Sequence, residues 1–147
     1  MNRYTFGFML LMALLLFSCE NNTEHSEITK NELPQDFLEF YDRFHSDSAF
    51  QMEHIEFPLP GLPANANLDK GRTSAFFWQK EDWVIQKFID EEASGFRREI
   101  FMMGETLVVE YMINSFNYRI QRRFSKRNNT WKLSYYEDIN LIGSQSQ

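Results

Sequence analysis

Residues 36–61, DFLEFYDRFHSDSAFQMEHIEFPLPG, constrain the fold more than any other stretch of the chain. Phe37, Phe40, Tyr41 and Phe44 fall at i, i+3, i+4 and i+7, which stacks four aromatic rings along one helical stripe. Asp36 is placed to accept hydrogen bonds from the first free backbone N–H groups, and Pro34 keeps the chain from being helical earlier. Ser46, Asp47 and Ser48 interrupt the stripe and can cap a second short turn carrying Ala49 and Phe50. The period then changes to two, with Ile55, Phe57 and Leu59 alternating with His54, Glu56 and Pro58. A stripe of this size needs an apolar sheet to lie on.

The second half of the chain supplies that sheet. Residues 96–103 and 106–113 flank Gly104-Glu105, a two-residue connection with glycine first, as a type II′ hairpin requires. A third strand, 118–125, follows a turn at 114–117. A fourth, 130–136, follows Asn128-Asn129, and asparagine tolerates the positive φ of such a turn. Four similar strands on short connections form an antiparallel meander. One face is predicted to carry Leu107, Val109, Tyr111 and Ile113, then Tyr118, Ile120 and Phe124, then Trp131, Leu133 and Tyr135. The other carries Glu110, then Arg119, Gln121 and Arg123, then Lys132 and Ser134. A sheet with one apolar face needs a cover, and the aromatic helix is the strongest amphipathic element to provide it.

Between these two parts, residues 60–72 are punctuated by Pro, Gly and Asn and read as a loop. Residues 74–78 read as a short strand. Residues 80–90 fit either a helical face or a strand, and are assigned one helical turn at 80–83 followed by a strand; 91–95 is a turn.

Upstream of the helix the chain has a different character. Residues 1–18 read as a secretion signal, in which Arg3 precedes an apolar run from Phe6 to Phe17 that is short for a bilayer span. The run closes on Leu16-Phe17-Ser18-Cys19, which resembles the lipobox of bacterial lipoproteins, where a small residue precedes a cysteine that is lipidated before cleavage. Phe17 departs from the small or β-branched residue usual there, and an ordinary signal with a chance cysteine is the alternative. Cys19 is the only cysteine, so once it is lipidated no thiol remains for a disulfide, a nucleophile or a metal site. Residues 20–33, acidic and Asn-rich, read as a flexible tether with a mean reach of roughly 20 Å. The folded part is then one domain, 34–142, followed by a disordered tail at 143–147. The expected location is the cell envelope, lipid-anchored to the outer membrane. Losing Arg3 with the signal moves the net charge from −6 to −7, which argues against nucleic acid as a partner and against docking by charge on an anionic membrane.

The fold class is therefore α+β, with N-terminal helices packed on a curved, mostly antiparallel sheet. That arrangement resembles the nuclear transport factor 2-like cone. More narrowly, the wording is similar to an uncharacterised family of Bacteroidota envelope lipoproteins, domain of unknown function 4348. The phrases that carry this are Phe44-His45-Ser46-Asp47-Ser48-Ala49-Phe50-Gln51, Ile55-Glu56-Phe57-Pro58-Leu59, Trp78-Gln79-Lys80-Glu81-Asp82-Trp83, Ile120-Gln121-Arg122-Arg123-Phe124 and Trp131-Lys132-Leu133-Ser134-Tyr135-Tyr136. No activity comes with that family, so the resemblance implies a fold and a location. In the standard fold of this class a helix precedes the third strand, and here 82–92 is ambiguous.

Candidates for chemistry are few. His45 lies between Asp42 and Asp47, and a histidine–carboxylate pair is the raw material of acid–base catalysis; His45 and Asp47 are the catalytic candidates. The plainer reading of His45 is a half-exposed residue at the negative end of a helix. His54 alternates with Ile55 and points away from the core. No metal-ligand spacing, phosphate loop or GxSxG is present, and no metal or cofactor is expected. Arg122 falls by strand parity on the apolar face, where it needs a carboxylate such as Asp42, backbone carbonyls or a bound anion. Arg122 with Tyr111, Tyr118 and Tyr135 is accordingly the candidate ligand site, for a small anionic ligand. Arg119, Arg123, Lys126 and Arg127 read as a solvated basic face. Trp78 and Trp83 read as core packing rather than a sugar platform, and Asp47-Ser48-Ala49 resembles a short O-glycosylation acceptor. Two functions stay open: a non-catalytic envelope module binding a small ligand or an envelope protein, and a small cone-fold isomerase or dehydratase. A carboxylate with a Tyr or His facing one cavity favours the enzyme; a cavity filled by rings favours the module.

Overall fold

The computed structural model describes residues 33–66 and 75–142. The expected secretion signal, Cys19, the expected tether up to residue 32, residues 67–74 (the end of the expected loop and the first residue of the expected 74–78 strand) and the 143–147 tail lie outside them. Helices α1 (Gln35–Ser46) and α2 (Ser48–Glu53) lead into strands β1 (Leu59–Leu62) and β2 (Phe76–Trp78). A single 3-10 turn (Lys80–Asp82) and a one-turn helix α3 (Glu91–Ser94) precede the meander of β3 (Phe96–Met103), β4 (Leu107–Asn114), β5 (Tyr118–Arg127) and β6 (Thr130–Leu141). The six strands form one sheet in the order β2-β1-β6-β5-β4-β3. Among the pairings of these six strands, the β1–β6 one alone is parallel. The architecture is α+β with a mostly antiparallel sheet. Among the described residues no helix is long and apolar enough to cross a membrane.

The aromatic stripe of α1 covers the sheet at one ring. Phe37, Phe40, Tyr41 and Phe44 all lie 5.5–5.8 Å, centroid to centroid, from Phe124 on β5. Phe37 also meets Trp131 on β6 edge-on at 5.0 Å. Phe37, Phe44 and Phe124 are fully buried. The helix start differs from expectation. Asp36 makes no cap: the carbonyl of Pro34 accepts from Phe37 and Leu38 N–H, while the Asp36 carboxylate turns to Lys126 Nζ at 2.6 Å and Trp131 Nε1 at 3.0 Å. Asp47 does cap α2, accepting from Ala49 and Phe50 N–H at 3.0 Å each.

Three connecting segments also differ. Of the alternation at 55–59, Ile55 makes only an isolated bridge to Leu133, and the strand starts at Leu59 and runs on to Leu62, into what reads as loop. It forms there because Gly61 lets β1 approach β6: a Cβ on that residue would overlap the Tyr136 carbonyl oxygen. Residues 80–82 make the expected turn, but 83–90 form no strand. Their hydrogen bonds go instead to the Gln51 side chain, described below. The β3–β4 connection has three residues, since Met103 pairs with Leu107, and Gly104 takes φ +68°.

Strand parity is where the sequence reading fails most. On β4 the helix-covered face carries Val108, Glu110 and Met112, not Leu107, Val109, Tyr111 and Ile113. On β6 the register slips by one residue between Leu133 and Tyr135, so Tyr136 turns to the core and Tyr135 to the opposite face.

Candidate functional site

The β4–β5 hairpin sets Glu110 directly opposite Arg122. Both are buried, and Arg122 Nη1 donates to Glu110 Oε2 at 2.9 Å. A cation and a carboxylate facing one another on the core side of a sheet are tolerable only as a pair. Tyr41, one turn before the end of the α1 stripe, donates its hydroxyl to the other carboxylate oxygen, Oε1. Arg98, next in line on β3, brings its Nε to 3.5 Å from the same oxygen. Glu110 thus accepts hydrogen bonds from Tyr41 on α1 and Arg122 on β5 and has the Arg98 cation of β3 beside it.

Residues 83–90 cross over this cluster. Gln51 on α2, fully buried, holds them: its Nε2 donates to the carbonyls of Phe44 and Gln86 at 2.7 Å each. Its Oε1 accepts from Gln86 N–H at 2.7 Å and Trp83 Nε1 at 3.2 Å. The Gln86 side chain in turn accepts from Arg122 Nη2 at 3.0 Å. Two residues on, the Phe88 ring stacks on His45 at 4.7 Å and meets Tyr41 edge-on at 5.6 Å.

His45 is buried, where sequence placed it half exposed. Its Nδ1 lies 2.9 Å from the Tyr41 carbonyl, so that nitrogen carries the proton and Nε2 keeps a lone pair. Nε2 has no partner. Burial pulls the imidazole down to about 4, helped by the Arg122 and Arg98 charges. Burial pushes the Glu110 carboxyl up, but the Arg122 charge and the Tyr41 and Arg122 hydrogen bonds outweigh it and hold it below its ordinary value. Burial and the adjacent Glu110 charge push the Tyr41 phenol up. Near neutral pH the cluster therefore holds a neutral imidazole, a carboxylate and a protonated phenol.

The residues singled out from sequence fare unevenly. Arg122 does face inward, and its partner is Glu110 rather than Asp42 or an anion; Glu110 itself was expected on the opposite face. Tyr111 and Tyr135 are not near Arg122. They lie on the other face, under Arg119 at 5.1 Å and Arg123 at 4.4 Å respectively. Tyr118, half-buried at the start of β5, keeps Arg122's side by alternation, but at the far end of the strand. The four therefore do not form one site. His45 and Asp47 do not meet either, because Asp47 is spent on the α2 cap and on Arg43 at 3.6 Å. The basic face is not simply solvated: Arg119 pairs with Glu137 at 3.1 Å, Lys126 with Asp36 and Arg127 with Glu56 at 3.5 Å. His54 stacks on Phe50 at 3.8 Å. Trp78 and Trp83 pack on Tyr136 at 5.4 and 5.2 Å. Among the described residues no group of His, Cys, Asp and Glu is placed to hold a metal ion.

Sequence reasoning missed Glu110, Arg98, Gln51, Gln86 and Phe88. A signal for the first was present. Counting outward from the 114–117 turn puts residue 110 opposite 122, and an acid opposite an arginine is a reason to place both inside.

No family model matches the chain, and no curated protein does. Among solved structures it is similar to an NTF2-like (nuclear transport factor 2-like) protein from Bacteroides fragilis, at 16% identity and a TM-score of 0.49. The match covers 72% of this chain and 47% of that one, so the chain spans about half its length. A likeness this remote carries no argument for fold or chemistry.

Proposed function

We propose that the chain is an exported cell-envelope domain, held to the outer membrane by lipid on Cys19, that works by binding rather than by catalysis. The Leu16-Phe17-Ser18-Cys19 sequence supports the anchor. The aromatic helix over a mostly antiparallel sheet supports a cone of the nuclear transport factor 2-like type, akin to the domain of unknown function 4348 lipoproteins.

One observation carries the non-catalytic reading: both oxygens of Glu110 are already occupied, Oε2 by Arg122 and Oε1 by Tyr41 and Arg98. Tyr41, His45 and Glu110 do come together, which is what a small isomerase or dehydratase would need. Proton transfer, however, needs a group free to approach substrate and poised near working pH. A carboxylate locked between two cations and a phenol is instead a structural charge.

Glu110→Gln separates the two readings. Active-site residues are commonly held at a cost to stability, so replacing one leaves stability unchanged or raised. Breaking a buried pair instead costs about 3–5 kcal/mol. Chemical denaturation should show the loss, and a variant as stable as the parent or more so would overturn the binding reading.

A further inference from the structure

The sheet ends in two edges of unequal length, β2 with three residues and β3 with eight. An edge strand presents a row of backbone N–H and C=O groups that another strand can pair with. On β3 these groups belong to the even-numbered residues. Backbone groups alternate between the two sides of a strand, and the N–H groups of Phe96 and Arg98 are turned away from β4. Both are closed off within the chain: Phe96 N–H donates to Ser94 Oγ at 3.3 Å, and Arg98 N–H to a Glu91 carboxylate oxygen at 3.1 Å. Glu91 thus stands where the carbonyl of a neighbouring strand would. Ile100 and Met102 have no such cap, and among the described residues nothing bonds to the outward side of their backbone. Neither proline, lysine nor a bulge blunts the stretch, which ends at Gly104 with φ +68°.

We propose that β3 pairs antiparallel with β3 of a second copy of this chain, across a two-fold axis at Phe101, so that the two sheets join into one. The open backbone groups select the register. Only an axis at Phe101 sets both open residues against open ones, Ile100 opposite the second copy's Met102 and Met102 opposite its Ile100. An axis at Arg98 or Glu99 puts each of those charges against its own copy, and one at Met102 puts Glu99 against Glu105. An axis at Ile100 needs the Arg98 backbone that Glu91 has taken. With the axis at Phe101 the side chains match on both faces. Ile100 lies opposite Met102 on the core side. Phe101, which packs on Tyr111 at 5.8 Å, meets its own copy on the other, and Arg97 comes to the turn carrying the second copy's Glu105. This self-matching favours a second copy over an extended segment of another protein. The pairing stands apart from the Glu110 cluster and from the lipid anchor.

Single cysteines test the register in the full chain carrying Cys19→Ala, where the introduced thiol is the only one. Residues facing each other in a non-hydrogen-bonded antiparallel pair have Cα atoms about 4.5 Å apart, within the span of a disulfide. Phe101→Cys should therefore cross-link to itself under mild oxidation. Glu99→Cys and Met103→Cys would each sit roughly 14 Å from their own copies. Each should stay monomeric when oxidised alone, and the two should cross-link when mixed. No cross-link at Phe101→Cys, or equal cross-linking of all three single variants, would overturn the pairing. Sedimentation of the Cys19→Ala chain itself should show a reversible dimer, half-formed at roughly 100 µM as an interface this small allows. Phe101→Lys, with two cations facing on the axis, should raise that concentration about tenfold or more. A parent chain monomeric up to about 1 mM, or a Phe101→Lys dimer of unchanged affinity, would overturn it equally. None of these readouts depends on the stability test on Glu110→Gln, so this pairing and the binding reading fail separately.

Discussion

Arg122 is the side chain whose meaning changes most between sequence and structure. Read from its strand it is a lone cation among rings; read with β4 beside it, it is half of a buried pair with Glu110 at 2.9 Å. A double-mutant cycle on Glu110→Gln and Arg122→Met should show each single change costing about 3–5 kcal/mol, and the double costing clearly less than their sum, since removing both leaves no unpaired charge. Additive losses would mean the two do not act together. His45 makes a separate pH prediction. In the folded chain it takes a proton only at about 4, against 6.5 when unfolded. Its contribution is fully present above 6.5 and is lost as pH falls toward 4, on the order of 3 kcal/mol. His45→Leu should flatten the unfolding free energy across that window, measured by denaturation at a series of pH values; an unchanged slope would place the titration elsewhere. Glu110, with its folded value lowered, adds a further loss below the ordinary carboxylate range, so the two are separable by pH.

The aromatic rings of helix α1 meet the strand β5 at Phe124. Four rings from one helix touch Phe124, so the helix–sheet contact is centred there rather than spread along the stripe. Phe40→Ala should cost about 3–5 kcal/mol, the range for a buried ring lost from a core. Phe124→Ala should cost at least as much, because every ring of the stripe loses a neighbour. A loss below about 1 kcal/mol for Phe40→Ala in chemical denaturation would mean the helix does not hold the sheet. The short strand β1 depends on Gly61, whose backbone passes against Tyr136. Gly61→Ala should detach β1 and β2 from β6, seen as faster amide exchange at Leu62 and Phe76–Trp78 with the β3–β6 meander still protected. Uniform protection would show that the sheet absorbs the methyl group.

Taken as a whole, the molecule is proposed to be a small acidic domain on a lipid tether. The anchor is testable without reference to the fold: Cys19→Ala should move the protein from the membrane fraction to the soluble fraction, and retention of the variant on membranes in high salt would argue for another attachment. With a net charge of −7 once Arg3 is lost with the signal, the body itself has little electrostatic attraction to an anionic bilayer.

Local pattern was enough to read α1, the α2 cap at Asp47, the four-strand meander and the α+β class, because helical and strand periods and turn residues are written within a few positions of each other. Which face of β4 points inward was not readable in that way. Leu107, Val109, Tyr111 and Ile113 are as apolar as Val108 and Met112, and the one charge, Glu110, argued for the wrong side. Its burial is favourable only because the hairpin register supplies Arg122, β3 supplies Arg98 and α1 supplies Tyr41, residues 12, 12 and 69 positions away. The slip in β6 that exchanges Tyr135 for Tyr136 leaves no local mark either. Residues 83–90 carry no period of their own, since their hydrogen bonds go to Gln51, a side chain more than thirty positions earlier. Pairings of this kind are set by packing between distant elements, and that is why the cluster under Phe88 exists only in the folded chain.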